Sequence, residues 1–218
     1  ASKEAIDVGR DLASKALEAP AADLVYADGR FKVVGTDLGI DLTALARQQP
    51  GQRIAVTTVQ KVGGPSWPNG CHVCEVEIDP GTGHVEIVRY TTYDDVGRVI
   101  NPLIVAGQVH GGIAQAVGQA LHERVVYDEE GQLLTGSFMD YGIPRADDLP
   151  DFVTHTDETQ PCKINPLGAK GVGEAGTLGS TPSIVNAAVD ALAGFGVTHI
   201  DMMLRPEKLW RIIHGGQA

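Results

Sequence analysis

The sequence predicts an α+β fold of mixed hairpins and helices. Three observations carry that reading. Apolar residues recur at helical spacing over residues 2–19, Asp28-Gly29 sits between two short apolar runs, and no regular strand–helix–strand alternation builds a parallel sheet. In the first helix Ile6, Val8, Leu12, Ala13, Ala16 and Leu17 form the apolar stripe, and Pro20 ends it. Residues 24–27 and 31–34 flank Asp28-Gly29 as a hairpin. A short helix is expected over 42–48, capped by Asp41, and the β-branched run 54–59 reads as a strand. Residues 61–70 form a Gly/Pro loop. Strands over 71–78 and 84–92 follow, joined by Asp79-Pro80-Gly81-Thr82-Gly83. The spacing predicts a helix over 105–123 with Gly107, Gly111, Ala114 and Gly118 on one small face. Residues 125–127 and 132–134 read as a hairpin, and 152–155 as a strand within an irregular stretch. A Gly-rich loop over 167–179, a helix over 182–194, a strand near 197–203 and a helix from Pro206 complete the chain. No repeat is visible, and no linker is long enough to force a domain boundary.

Composition narrows the function. The 218 residues are 43% hydrophobic and 21% charged, enough to bury a core. Seventeen basic against 28 acidic residues leave a net charge of −11, which repels nucleic-acid phosphates and anionic membranes alike. No apolar run reaches the length of a membrane-spanning helix, and charges run through the first 19 residues. Three cysteines make no disulfide framework, so a reducing cytoplasm is the expected setting.

Two segments could carry chemistry. In Leu167-Gly-Ala-Lys-Gly-Val-Gly-Glu-Ala-Gly-Thr-Leu-Gly, glycines surround Glu174, so backbone amides and one carboxylate can crowd a ligand. A carboxylate shielded from water in such a place works as a base. The plainer alternative is a flexible loop with an exposed Glu174. The order of residues is not that of a phosphate-binding P-loop, and no strand precedes it as a dinucleotide fingerprint requires. The helix after it is read as capped by Thr181, with Pro182 at its first position. In Gly107-Gln-Val-His-Gly-Gly-Ile-Ala-Gln, amide side chains stand among glycines where the helix is expected to start, suited to the edge of a polar heterocycle. The alternative is a helix packed through small residues.

Other residues read more simply. Cys71 and Cys74 should point to opposite faces of a strand, so buried cysteines are expected rather than a metal site. Asp94-Asp95, followed by Arg98 and Asn101-Pro102, reads as a charged turn. His110, His122 and His155 lack metal-ligand spacing, and the acidic stretch from Asp147 to Glu158 reads as a solvated connection.

Taken in order, several segments resemble the C-terminal part of the molybdenum hydroxylase large subunit, the family of xanthine dehydrogenases, aldehyde oxidoreductases and aerobic carbon monoxide dehydrogenases. They are Tyr26-Ala-Asp-Gly-Arg-Phe with Gly35-Thr36, Pro68-Asn-Gly-Cys-His-Val-Cys-Glu-Val-Glu-Ile-Asp, Asp94-Asp-Val-Gly-Arg-Val-Ile-Asn-Pro, Gly107-Gln-Val-His-Gly-Gly, Met139-Asp-Tyr-Gly-Ile-Pro-Arg-Ala, Lys170-Gly-Val-Gly-Glu-Ala-Gly-Thr and Pro182-Ser-Ile-Val-Asn-Ala-Ala-Val-Asp-Ala-Leu. The resemblance covers nearly all of residues 1–218 and is nearest the carbon monoxide dehydrogenase-like branch.

The resemblance implies a molybdenum–molybdopterin cofactor, in the cytosine dinucleotide form, and hydroxylation of a carbon centre with oxygen from water. Glu174 matches the family's active-site base. Gln108 matches a glutamine beside the cofactor, with Gly111, Gly112, Gly171, Val172 and Gly173 as accompanying contacts; no residue is assigned as a metal ligand. Family large subunits are several times longer. The chain is therefore expected to be a separately encoded or excised part, with the rest of the large subunit, an iron–sulfur subunit and a flavin (FAD) subunit as partners. Aldehydes, N-heterocycles and carbon monoxide all remain open as substrates. A non-catalytic scaffold that keeps the fold is the competing reading. On its own the chain is expected to fold with Glu174 exposed and no cofactor held.

Overall fold

A computed structural model describes residues 1–215, which form an α+β structure. Two compact units meet in sequence at Lys61/Val62, where the Gly/Pro loop begins: Ala1–Lys61 and Val62–Ala218.

In the first unit, helix α1 (Ser2–Leu17) buries Gly9 and Ala13 and ends at Glu18, whose φ of 51° is left-handed. The helix thus stops before Pro20. Strands β1 (Leu24–Ala27), β2 (Arg30–Val33) and β3 (Gly39–Asp41) form an antiparallel sheet in that order. Asp28 (φ 50°) and Gly29 (φ 77°) make the two-residue turn, whose two positive φ angles match the twist of paired strands. Phe31, Leu24, Leu45 and Ala13 are the buried centre, and a Cβ on Gly9 would lie 2.7 Å from the Phe31 ring. Helix α2 (Leu42–Arg47) begins after Asp41 without the expected capping bond. Residues 54–59 are not a strand. Ile54 packs on the small core, but no neighbouring strand pairs with the run, and β-branched residues alone do not create a ladder.

The second unit holds strands β4 (Asn69–Ile78), β5 (Val85–Asp95) and β6 (Phe152–Asp157), with β4 antiparallel and β6 parallel to β5. In the β4–β5 turn the Thr82 hydroxyl and the Gly81 amide both donate to Asp79 and hold its carboxyl below the ordinary range. Helix α4 (Ala175–Ala191) packs along α3 (Pro102–Val117) and across β4, and α5 (Pro206–Ile213) closes the core. Tyr90, Val109, Ile113, Ile184, Leu204 and Leu209 are fully or almost fully buried there. No helix of the described residues is long and apolar enough to cross a membrane.

Both long helices of the second unit start earlier than their sequence patterns indicate. Asn101 Oδ1 accepts from the Ile104 amide at 3.2 Å and Pro102 fills the first helical position, so Asn101-Pro102 is a helix start rather than a turn. A cap of this kind contributes about 1 kcal/mol. Residues 107–115 therefore lie inside α3, where backbone amides are already bonded to the preceding turn. Helix α4 starts seven residues ahead of Pro182, which sits within it. The Ser180, Thr181 and Ser183 hydroxyls donate to the carbonyls four residues back, at 2.5, 3.3 and 2.7 Å, and bind the helix where Pro182 has no amide to give.

Smaller differences follow the same logic. Residues 197–203 form no strand, although Ile200 and Leu204 are buried. Residues 125–127 and 132–134 meet only through a Tyr127–Leu133 bridge. Cys71 is exposed instead of buried, whereas Cys74, three residues on, packs against the core; burial and the neighbouring Glu75 push its thiol up to about 12.

Candidate functional site

The site is organised by a contact between α3 and α4. A Cβ on Gly112 would stand 2.8 Å from Gly176 Cα, and one on Gly176 would stand 2.5 Å from the Val109 carbonyl oxygen. Only glycine lets the two backbones approach so closely. The Thr177 hydroxyl donates to the Gly112 carbonyl at 3.0 Å, and the Gln115 amide side chain lies 3.2 Å from the same hydroxyl.

This crossing brings the two sequence motifs together. Gln108 lies one helical turn before Gly112, and Gly173 and Glu174 lie just before Gly176. A Cβ at Gly173 would be 3.6 Å from Gln108 Oε1. Val172 faces the core and anchors the loop, while Gly171, Gly173 and Glu174 are exposed. Nothing stands within 4 Å of a Cβ position at Gly111 or Gly171. Glu174 occupies the residue before α4 but makes no capping hydrogen bond, so its carboxylate is not engaged by its own helix.

The Gln-His-Gln group separates. Gln108 faces the glycine loop and Gln115 faces Thr177. His110 sits against the Phe152 ring (5.5 Å between centroids) and lies 3.4 Å from the Thr154 hydroxyl of β6. Gly112 serves the helix contact, whereas Gly111 borders open space.

The surroundings contain residues that the sequence pattern did not mark. Asp94 and Asp95 are not a charged turn. Asp94 is 2% exposed, and its Oδ1 lies 3.2 Å from His72 Nε2. The His72 ring reaches Tyr90 Oη at 3.0 Å and Ser180 Oγ at 3.3 Å from Nδ1. Burial also pushes the Tyr90 hydroxyl up to about 12. Asp95 bonds Lys170 Nζ at 2.6 Å and accepts from the Gly97 amide at 2.9 Å. Burial raises the Asp95 carboxyl, but these two donors and the Lys170 charge outweigh it and hold the group below the ordinary carboxylate range.

A β-bulge explains why Asp94 was hidden. Glu75 pairs with Arg89 but Val76 pairs with Ile87, so Val88 is the extra residue. Before it Val85 and Ile87 are buried; after it Tyr90, Thr92 and Asp94 are. An unbroken two-residue period from Val85 would have turned Arg89, Tyr93 and Asp95 inward instead. The one available signal was the apolar Ile87-Val88 doublet interrupting the alternation. Among the described residues no group of three or more His, Cys, Asp or Glu side chains could hold a metal ion.

Known proteins resemble the chain along nearly its whole length. Residues 1–150 match the molybdopterin cofactor-binding domain family. The chain is 37% identical, over 96% of its length, to the gamma subunit of the 6-hydroxypseudooxynicotine dehydrogenase complex of Paenarthrobacter nicotinovorans. It is 36% identical over 93% of its length to the carbon monoxide dehydrogenase large chain of Hydrogenophaga pseudoflava. The matched segments are 28% and 26% of those proteins, so the chain spans about a quarter of the length of these relatives. The crystal structure of the Cu,Mo-CO dehydrogenase in its carbon monoxide reduced state superposes with a TM-score of 0.88 at 32% identity, covering 99% of this chain and 28% of that one. The chain belongs to the molybdopterin cofactor-binding domain family of molybdenum-dependent oxidoreductases.

Proposed function

We propose that this chain forms one wall of the molybdenum-cofactor site of a hydroxylase and that Glu174 is its base. The observation that carries the reading is the meeting of Gln108 with Gly173 beside Glu174 at the Gly112–Gly176 contact. The residues present suit a long polar ligand. The Gln108 amide both donates and accepts, Gly171 leaves its backbone open, and the first turn of α4 has no side-chain cap.

When bound, the molybdenum–molybdopterin group supplies the two-electron oxidation of a carbon centre with oxygen from water. One substrate C–H and one water become C–OH, two protons and two electrons, and for carbon monoxide the product is carbon dioxide. Gln108 orients the pterin edge, Gly171 and Gly173 let the backbone approach it, and Val172 holds the loop to the core. The Glu174 carboxylate takes one of the protons at its oxygen, which requires that closure of the site remove it from the water it faces in this chain. The electrons leave through iron–sulfur clusters and FAD on partner chains, in a cytoplasmic complex that includes the rest of the large subunit. Leu103, Phe138 and Met139 are 82%, 88% and 93% exposed, apolar surface that supports burial against that remaining part. The cofactor is proposed in its cytosine dinucleotide form, and aldehydes, N-heterocycles and carbon monoxide are the substrate classes.

Metal and pterin analysis tests the assignment. The chain assembled with the rest of its large subunit is expected to contain about one molybdenum and one pterin per copy, and the chain alone none. An active assembly without molybdenum would refute it. Several hydrogen bonds of about 1 kcal/mol each on an open face do not offset the several kcal/mol of association and ordering, which is why the lone chain should be empty.

A further inference from the structure

We infer that the neighbouring acids Asp94 and Asp95 are positioning residues that grip the Glu174 segment from both sides, Asp95 through Lys170 before it and Asp94 through His72 after it. The inference rests on the reading of Glu174 as the base. Successive residues of a strand face opposite sides, so two adjacent carboxylates at the end of β5 can hold two different elements. The bulge at Val88 decides which acid faces which way.

On the entry side, the segment 168–170 is tied three times, twice through Lys170 and once through Gly168. Its ammonium bonds Asp95 Oδ2 at 2.6 Å, with the two side chains 11% and 16% exposed. Its amide donates to the Val96 carbonyl at 2.8 Å, and the Arg98 amide donates to the Gly168 carbonyl at 2.9 Å. Lys170 lies four positions before Glu174. On the exit side, the His72 and Asp94 side chains are 4% and 3% exposed. The imidazole fits against Gly179, where a Cβ would come within 2.6 Å of the ring, and its Nδ1 faces Ser180. Ser180 in turn donates to the Gly176 carbonyl, in the first turn of α4. A cavity of about 210 Å³, lined by Gly70, His72, Asp94, Ala175, Leu178 and Gly179, lies beside that turn, and the imidazole reaches across to Gly179 and Ser180.

Glu174 has no capping bond of its own, so its direction is inherited from these two anchors. Asp94 Oδ2 is buried with no hydrogen-bond partner, as is Thr92 Oγ1 on the same strand face. A core selected for stability alone would replace such a carboxylate with an apolar side chain. Keeping it buys orientation.

The test uses the assembled enzyme with Asp95→Asn, Lys170→Met, Asp94→Asn and the conservative Lys170→Arg. Displacement of a reacting group by about an ångström costs up to about a hundredfold in rate. The first three variants should lose roughly 10- to 100-fold in kcat with KM within about threefold and molybdenum content unchanged, while Lys170→Arg recovers most of kcat. Hydrogen exchange over residues 171–178 of the same protein should quicken in the three and return to the parent rate in Lys170→Arg. Unchanged kcat in Asp95→Asn or Lys170→Met at full molybdenum content would overturn the inference. So would a rate loss that merely follows loss of molybdenum or of folded protein. Glu174→Gln separates the two readings: if it retains turnover, the base assignment fails, and if it abolishes turnover while the clamp variants remain fast, only the clamp fails.

Discussion

Two glycine-rich segments face each other in this molecule and use glycine in opposite ways. In α3, Gly107, Gly111, Gly112 and Gly118 lie within or at the end of a helix, where each disfavours the helix by about 1 kcal/mol relative to alanine. At Gly112 that loss is offset by backbone contact with Gly176. The segment 168–173 is irregular, and at Gly168 a φ of 74° calls for a residue without a side chain. One segment gives up helix propensity for a close contact; the other gives up order for shape. The lesson is that glycine spacing alone does not distinguish a helix crossing from a ligand-facing loop. What distinguishes them is whether a capping residue lies upstream, as Asn101 does for α3.

The contrast can be broken most forcefully at the crossing. Gly176→Ala sets a methyl against the Val109 carbonyl, which is backbone and cannot rotate away, and should destabilise the second unit by about 3 kcal/mol in denaturant unfolding. A loss below about 0.5 kcal/mol would show that the helices are free to separate.

Next in size is the Asp95–Lys170 pair. Asp95→Asn removes a charge-assisted bond and should cost about 2 kcal/mol at pH 7. Because the folded-state pKa of Asp95 is depressed, its contribution is fully present above the ordinary carboxylate range and is lost as pH falls through the folded value. The difference between parent and variant should therefore shrink in acid, below about pH 4. A difference that stayed constant down to pH 2 would mean that the pair is not ionic.

Gly111→Ala should act in the opposite direction to Gly176→Ala. A Cβ there meets nothing within 4 Å, so the helix should gain about 1 kcal/mol. The smallest effect on the fold is expected at Gly171→Ala, within about 0.5 kcal/mol, because that Cβ also meets open space. In the assembled enzyme the same methyl should lower molybdenum content, since the backbone there is proposed to lie against the cofactor. If Gly171→Ala loads molybdenum fully, Gly171 is not a close contact.

Much of this was legible in the residues. Asp28-Gly29 between apolar runs defines the first hairpin, and the Asp79–Gly83 turn defines the second. The α+β class follows from the way these elements alternate. Apolar periodicity places the starts of α3 and α4 too late, because capping by Asn101-Pro102 and the hydroxyl bonds around Pro182 are side-chain effects that periodicity does not carry. Residues 54–59 have strand composition but no partner strand. Gln108 and Glu174 stand out only through the family resemblance; their residue types alone fit an ordinary helix and loop. Asp94 is hidden from the pattern because one bulge residue, Val88, reverses which face of β5 turns inward, whereas the pairing of His72 with it is a contact between strands that the order of residues does not carry.

The central claim is that Glu174 does chemistry at a molybdenum-cofactor wall rather than shaping a scaffold. Glu174→Gln is nearly isosteric and, since the Glu174 side chain makes no capping bond, should leave the chain folded. Turnover and molybdenum content of the assembled enzyme, measured on the same preparation, decide the matter. The account predicts loss of turnover by at least about a hundredfold with molybdenum and pterin retained; turnover close to that of the parent enzyme at full cofactor content would contradict it.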